Sequence, residues 1–101
     1  MYTAGNRASR RVLVVRLGAM GDILHTLPAA AFLKRSCPDW ELTWLVEPRW
    51  RPLLDGNPAL DRVLPLQRST LAGLLDTRRQ LRAMRFDAAI DFQGQIGRAH
   101  V

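Results

Sequence analysis

The chain has 101 residues, 48% of them hydrophobic, and a formal net charge of +6 at pH 7. This length is enough for one compact domain, no apolar run approaches the roughly 20 residues that span a bilayer, and the single cysteine, Cys37, excludes an internal disulfide. The excess of arginine favours an anionic partner, although no RNA-binding aromatic motif, zinc-finger spacing or helix-turn-helix supports nucleic acid. Residues 1–10 lack the apolar core of a signal peptide, so we expect a disordered lead-in and a cytoplasmic protein.

The first predicted unit is a strand, a glycine turn and a helix. Residues 11–17 begin with a short apolar, mostly β-branched run, which is typical of a strand buried on both faces. The turn is predicted at residues 18–21 and the helix at residues 22–36. Apolar residues recur along this helix at helical spacing, namely Ile23, Leu24, Leu27, Ala31 and Phe32. Pro28 removes one helical hydrogen bond, so the helix either kinks or becomes regular only near Pro28, which would leave Asp22 and His25 on an irregular segment.

The remaining elements alternate in the same way. Strands are predicted at residues 41–47, 62–66 and 86–92, a short helix at residues 50–54 and a long helix at residues 69–85. Pro65 indicates an edge or the end of a strand, and Ser69 or Thr70 can cap the long helix. The predicted buried face of that helix consists of Leu71, Leu74, Leu75, Leu81 and Met84. This order predicts an α/β fold with a parallel, doubly wound, Rossmann-like half-sheet.

The glycine turn is the first candidate site. Gly18 and Gly21 do not complete a dinucleotide-binding fingerprint or a P-loop, but a turn at a helix start allows a ligand to approach the backbone. Asp22 has two interpretations that the sequence leaves open, a helix cap and a general base that takes a proton from a substrate hydroxyl. His25 follows three residues later, where it either orients the carboxylate, contacts the substrate, or is a semi-exposed polar residue.

The end of the fourth strand is the second candidate site. Asp91, Gln93 and Gly94 follow a buried strand, and polar groups there can bind sugar hydroxyls or brace the first turn. The alternative is that Asp91 only caps the loop. The three tryptophans, Trp40, Trp44 and Trp50, are predicted to be core or cleft wall rather than a stacking platform for bases.

Three blocks of the chain together resemble the N-terminal domain of glycosyltransferase family 9, the lipopolysaccharide heptosyltransferases, and within it the heptosyltransferase I group. They are VRLGAMGDILHTLPA (residues 15–29), LTWLVEPRWRPLLDGNPALDRVLPL (residues 42–66) and FDAAIDFQG (residues 86–94). The resemblance implies a GT-B architecture in which this domain receives the Kdo-lipid A inner core. It also implies transfer of heptose from ADP-heptose with inversion, without a metal or cofactor, by a protein peripheral to the cytosolic face of the inner membrane.

The resemblance also implies roles for single residues. Asp22 matches the aspartate that acts as the family's catalytic base, and Gly18, Ala19, Met20 and Gly21 match the turn beside the acceptor. Many members carry serines where this chain has Gly18 and Ala19, so hydroxyl contacts at those positions are not expected. Arg68, and more weakly Arg78 and Arg79, match basic residues that meet the acidic acceptor. Gln93 and Gly94 match the family's D-x-Q-G element.

The predicted domain runs over residues 11–95 and is incomplete, because members of the family continue into a second, donor-binding domain. The last six residues, IGRAHV, are the translation of ATC-GGA-AGA-GCA-CAC-GTC, the start of a common sequencing-library adapter. We therefore expect residues 96–101 to be an assembly artefact. Two alternatives to the heptosyltransferase interpretation stay open, a related transferase with another substrate and a stand-alone α/β ligand-binding or interaction module without catalysis.

Overall fold

A computed structural model describes residues 10–93 and the backbone of residues 98–100. The strands are β1 (Arg11–Val15), β2 (Glu41–Val46), β3 (Arg62–Pro65), β4 (Ala88–Asp91) and β5 (Arg98–His100). The helices are α1 (Met20–Ser36) and α2 (Leu71–Met84), and a short 3-10 helix, Pro48–Leu53, follows β2. The sheet has the order β3-β2-β1-β4-β5, in which the first four strands are parallel and β5 is antiparallel to β4. The predicted doubly wound parallel half-sheet is confirmed.

The two ends of the described chain differ from the sequence-based expectation. Arg10 was assigned to the disordered lead-in, but its carbonyl accepts the N–H of Glu41 at 2.7 Å, so the ladder begins one residue earlier. Strand β5 was not predicted, because three residues of mixed polarity carry no strand pattern. Residues 1–9, Gly94, residues 95–97 and Val101 lie outside the described residues. The adapter origin of residues 96–101 stays a prediction.

The core lies between α1 and one face of the sheet. Val14, Trp44 and Val46 share that face because side chains alternate along a strand, and they pack against Ile23 and Ala30 of α1. Trp44 and Ile23 are completely buried. Consecutive residues of β1 and β2 are buried on both faces of the sheet, as the apolar runs of these central strands predict. Pro65 ends β3 at the edge of the sheet, as predicted.

Helix α1 is longer and more regular than the sequence indicated. It begins at Met20 and continues through Pro28 to Ser36, so the interpretation with an irregular segment before Pro28 is wrong. Its buried residues are Ile23, Thr26 and Ala30. Leu24, Ala31 and Phe32, which the periodicity assigned to the buried face, are exposed.

Helix α2 begins with the predicted threonine cap, in which Thr70 Oγ1 accepts the N–H of Gly73 at 3.0 Å. Its predicted buried face is wrong in part. Leu71, Leu74 and Leu75 are 72%, 44% and 50% exposed, because no described part of the chain packs over them. Thr77 is the buried residue of this helix. Neither α1 nor α2 is both long and apolar enough to cross a membrane, and the same holds for every helix that the structure describes.

Candidate functional site

The carboxyl ends of the four parallel strands meet at one edge of the sheet, where α/β folds place their ligands. The loops that follow these strands enclose an open cleft of about 230 Å³. The segment that follows each of the four strands contributes to its lining, which consists of Leu17, Gly18, Ala19, Glu47, Arg49, Trp50, Arg68 and Gln93. A neighbouring hollow of about 240 Å³ shares Glu47, Arg49 and Arg68 with it. The structure therefore brings four of the predicted site residues, Gly18, Ala19, Arg68 and Gln93, into one cleft.

Asp22 lies in the first turn of α1, three residues after the N-cap, Ala19. Its Oδ2 accepts the N–H of Ala19 at 3.3 Å, which is the return half of a capping box. Asp22 is therefore not the N-cap residue that the capping interpretation supposed, although it does satisfy a free N–H at the helix start. Asp22 is not among the residues that line the cleft and is connected to it through Ala19.

The carboxylate of Asp22 is held by an arginine that the sequence analysis did not single out. Arg16 Nη2 lies 2.7 Å from Asp22 Oδ2, and the same oxygen receives the Ala19 N–H. Oδ1 has no hydrogen-bond partner among the described residues, and the side chain of Asp22 is 53% exposed. One oxygen of the carboxylate is thus held by two contacts, while the other has no partner among the described residues.

The two glycines of the predicted turn differ in what surrounds them. A Cβ at position 18 would lie 2.9 Å from Trp50 Nε1 and 3.1 Å from Glu47 Oε1, so a larger residue there would have to displace the side chains of the cleft wall. A Cβ at position 21 would meet nothing within 4 Å. Gly21 and the exposed Met20 belong to α1 rather than to the turn, so the predicted boundary of the turn at residue 21 is wrong.

His25 is exposed on α1, one turn beyond Asp22. It does not line either hollow described above, and no hydrogen bond joins it to Asp22 among residues 10–93. Its proposed contact with a substrate stays a prediction.

Gln93 braces the first turn, which is one of the two roles predicted for it. Its Oε1 accepts the N–H of Leu17 at 2.7 Å and so ties the end of β4 to the end of β1. Asp91 Oδ1 accepts the N–H of Gln93 at 2.7 Å, as the loop-capping interpretation predicts.

Arg68 reaches the cleft from the loop after β3 and pairs with the carboxylate of Glu47, which follows β2. Arg78 and Arg79, the weaker candidates, are exposed on α2 and line neither hollow. Arg68 and Arg49 therefore supply the positive charge of the cleft lining. The guanidinium carbon of Arg49 lies 5.7 Å from the centre of the Trp50 ring.

Trp44 and Trp50 are core and cleft wall, as predicted, whereas Trp40 is half-buried and belongs to neither the core cluster nor the lining of the cleft. Trp44 is buried, and its Nε1 donates to the carbonyl of Arg16 at 2.9 Å. Trp50 packs against the core and lines the cleft.

Sequence reasoning missed Arg16, Glu47 and Arg49. Arg16 and Glu47 are each the first charged residue after a buried apolar strand, β1 or β2. Since ligand groups in parallel sheets cluster at the carboxyl ends of strands, that position is the signal that identifies them.

The fold of this chain is similar to part of a solved structure, although no family model matches its sequence. The structure resembles the crystal structure of the glycosyl transferase family 9 protein from Veillonella parvula, with a TM-score of 0.76 over 90% of this chain and 28% of that chain, at 21% sequence identity. The fold is therefore that of part of a family 9 glycosyltransferase.

Curated relatives specify the family further. The chain is 31% identical to lipopolysaccharide heptosyltransferase 1 of Escherichia coli K12 and 32% identical to those of Salmonella typhimurium and Pseudomonas aeruginosa, in each case over 85% of its length. The chain spans only 27–30% of the length of these relatives. Together with the fold, these similarities support the resemblance of the chain to a segment of the heptosyltransferases of glycosyltransferase family 9.

Proposed function

We propose that the gene product containing this segment is a transferase of lipopolysaccharide core biosynthesis that moves heptose from ADP-heptose to the Kdo-lipid A inner core. The names of the curated relatives, lipopolysaccharide heptosyltransferase 1, support lipopolysaccharide as the acceptor class. Inversion at the anomeric carbon, independence of metals and cofactors, and action as a peripheral protein at the cytosolic face of the inner membrane are parts of the same proposal. In this proposal, the residues of this chain bind and activate the acceptor.

The observation that carries the proposal is the state of the Asp22 carboxylate. Oδ2 is held by Arg16 and by the Ala19 N–H, whereas Oδ1 is unpartnered among the described residues. A general base needs an oxygen within hydrogen-bond reach of the hydroxyl it deprotonates. In the proposed reaction, Oδ1 takes the proton of the acceptor hydroxyl while that oxygen attacks the anomeric carbon and the nucleoside diphosphate leaves.

The cleft beside Asp22 suits an acidic acceptor. Arg68 and Arg49 present two guanidinium groups at its wall, and arginine binds carboxylate and phosphate oxygens through paired N–H groups. An anionic ligand would compete with Glu47 for Arg68. Gln93 uses Oε1 for the turn, so its amide N–H groups are the part it can offer to a sugar hydroxyl.

The test uses the intact gene product, assayed for transfer from ADP-heptose to Kdo-lipid A with other nucleotide sugars as competing donors. We expect Asp22→Asn to lower kcat by about 10²- to 10⁴-fold, the usual contribution of a general base. The melting temperature should fall, because the amide keeps an oxygen for the Ala19 N–H but leaves the largely buried Arg16 guanidinium without its ionised partner, so kcat is measured at a temperature where the variant is folded. Near-normal kcat in Asp22→Asn would remove Asp22 from the role of base. Faster transfer from a different nucleotide sugar would contradict the heptose assignment.

A further inference from the structure

We propose that Arg16 is a positioning residue that sets the orientation of the Asp22 carboxylate for proton transfer. This inference rests on the proposed function of Asp22 as the base. Arg16 follows the last residue of β1, and its side chain contacts two elements that the chain keeps far apart in sequence, the first turn of α1 and the end of β4.

The guanidinium has a defined pair of partners. Nη2 binds Asp22 Oδ2 at 2.7 Å, and Nη1 donates to the carbonyl oxygen of Phe92. The planar fork of an arginine fixes the direction of both N–H groups. Because Nη1 is anchored on the carbonyl of Phe92, directly after β4, the end of the sheet sets the direction of Nη2 and with it the position of Asp22 Oδ2.

The side chain of Arg16 is largely buried, which limits the partners that it can contact. The side chain of Arg16 is only 13% exposed, and its Nε is buried without a hydrogen-bond partner among the described residues. The main chain of Arg16 is held as well, since its carbonyl accepts Trp44 Nε1 at 2.9 Å and its N–H reaches the Leu45 carbonyl at 3.3 Å. A buried charge that loses its partner is costly, so the contact with Asp22 Oδ2 holds the Arg16 side chain in place.

The consequence concerns the second carboxylate oxygen. With Oδ2 held from two sides, by Arg16 and by the Ala19 N–H, rotation of the carboxylate is restricted and Oδ1 keeps one direction. Proton transfer is sensitive to such placement, and a displacement of about 1 Å can cost on the order of 100-fold in rate. Arg16 acts through Asp22 and contacts no reacting atom in this proposal.

The chain contains a matched control. Arg11 lies at the opposite end of the same strand, where it too pairs with a carboxylate, Glu41 at 3.6 Å, and donates to a carbonyl, that of Met84 at 2.8 Å. Arg11 is at the amino-terminal edge of the sheet, away from the cleft. Arg11→Met therefore removes the same kinds of contact without affecting Asp22.

The experiment measures kcat, the acceptor KM and the melting temperature for Arg16→Met, Arg16→Lys and Arg11→Met in the intact gene product. We expect Arg16→Met to lower kcat by about 10- to 100-fold with an acceptor KM within about 3-fold of wild type. Arg16→Lys restores the charge and should recover part of the lost kcat, and Arg11→Met should keep the wild-type kcat. If Arg16→Met does not fold, Arg16→Gln takes its place, because it keeps a donor without the charge.

Three results would overturn the proposal: an uncharged variant of Arg16 that keeps its kcat, a loss that falls on KM rather than kcat, or an Arg16→Lys variant no faster than the uncharged one. These results are distinguishable from failure of the proposed function by the Asp22→Asn variant measured in parallel. If Asp22→Asn is inactive and Arg16→Met is normal, only the positioning role fails. If Asp22→Asn is active, the base assignment itself fails.

Discussion

At the scale of single residues, the wall of the cleft depends on close contact between the backbone at Gly18 and the indole of Trp50. Trp50 packs against the core, and Glu47 is held by Arg68, so neither can retreat freely from position 18. Gly21, three residues later, has open space around its Cα. A side chain at position 18 would therefore crowd its neighbours, whereas one at position 21 would not.

Alanine at these two positions should have opposite effects. We expect Gly18→Ala to lower the free energy of unfolding by about 1–3 kcal/mol through overpacking against Trp50. Gly21→Ala should raise it by about 0.4–1 kcal/mol, because alanine is less flexible than glycine in the unfolded chain. Denaturant unfolding of the two variants checks this. Equal destabilisation by both would contradict the difference in space that the structure shows.

An increased acceptor KM in a stable Gly21→Ala variant would mean that the glycine leaves room for the ligand.

At the scale of elements, α2 positions the loop that carries Arg68. The hydroxyl of Thr77 is buried, accepts the N–H of Gln67 at 3.2 Å, and donates to the carbonyl of Gly73 at 3.1 Å. A Cβ on Gly73 would lie 3.0 Å from the Cβ of Gln67, so helix and loop are in close contact. This single side chain connects α2 to the residue that precedes Arg68.

Thr77→Val should therefore lower the free energy of unfolding by about 1–3 kcal/mol, since it leaves the N–H of Gln67 without an acceptor. Thr26 of α1 provides the control. It is also a buried helical threonine, but its hydroxyl donates only to the Asp22 carbonyl of its own helix, at 2.8 Å. Thr26→Val should change stability by no more than about 0.5 kcal/mol. Denaturant unfolding compares the two, and a Thr26→Val cost as large as that of Thr77→Val would argue against the role of the Gln67 contact.

At the scale of the whole molecule, the described residues expose an apolar face on α2. Leu71, Leu74 and Leu75 lie at positions i, i+3 and i+4, so they share one side of the helix. A soluble monomer rarely exposes a contiguous apolar patch of large size. This face also bears on the alternative that the chain is a stand-alone binding module, because such a module would have to tolerate it in water.

We expect the 101-residue chain, purified alone, to self-associate, and the triple variant Leu71→Gln, Leu74→Gln and Leu75→Gln to reduce that association. Sedimentation velocity over a range of concentrations measures both. A control that replaces Arg78 and Arg79 by Gln on the same helix should not reduce association, because it leaves the leucines in place. A wild-type chain that is monomeric and unfolds cooperatively would contradict the expectation and favour the stand-alone module.

The sequence by itself determined the order of elements, the central strands and the four-strand parallel sheet. The local signals are the continuous apolar runs, the glycines and prolines that end elements, and the threonine cap of α2. The fold follows from them because crossovers between parallel strands have one handedness. It also pointed to Asp22, the acid at the start of the first predicted helix, and to Gln93, which lies just beyond a predicted buried strand. The helix faces were predicted less well: periodicity marks Leu71, Leu74 and Phe32 as apolar but does not say whether another element covers them.

Only the tertiary structure decided how the site is assembled. Arg16, Asp22 and the Phe92 carbonyl meet because β1 and β4 are neighbours in space although 76 residues separate Arg16 from Phe92. The pairing of Arg68 with Glu47 and the contact of Gly18 with Trp50 likewise join loops from different strands. Such contacts depend on which strands lie side by side and on the direction of each side chain, and neither property is encoded in a local stretch of residues.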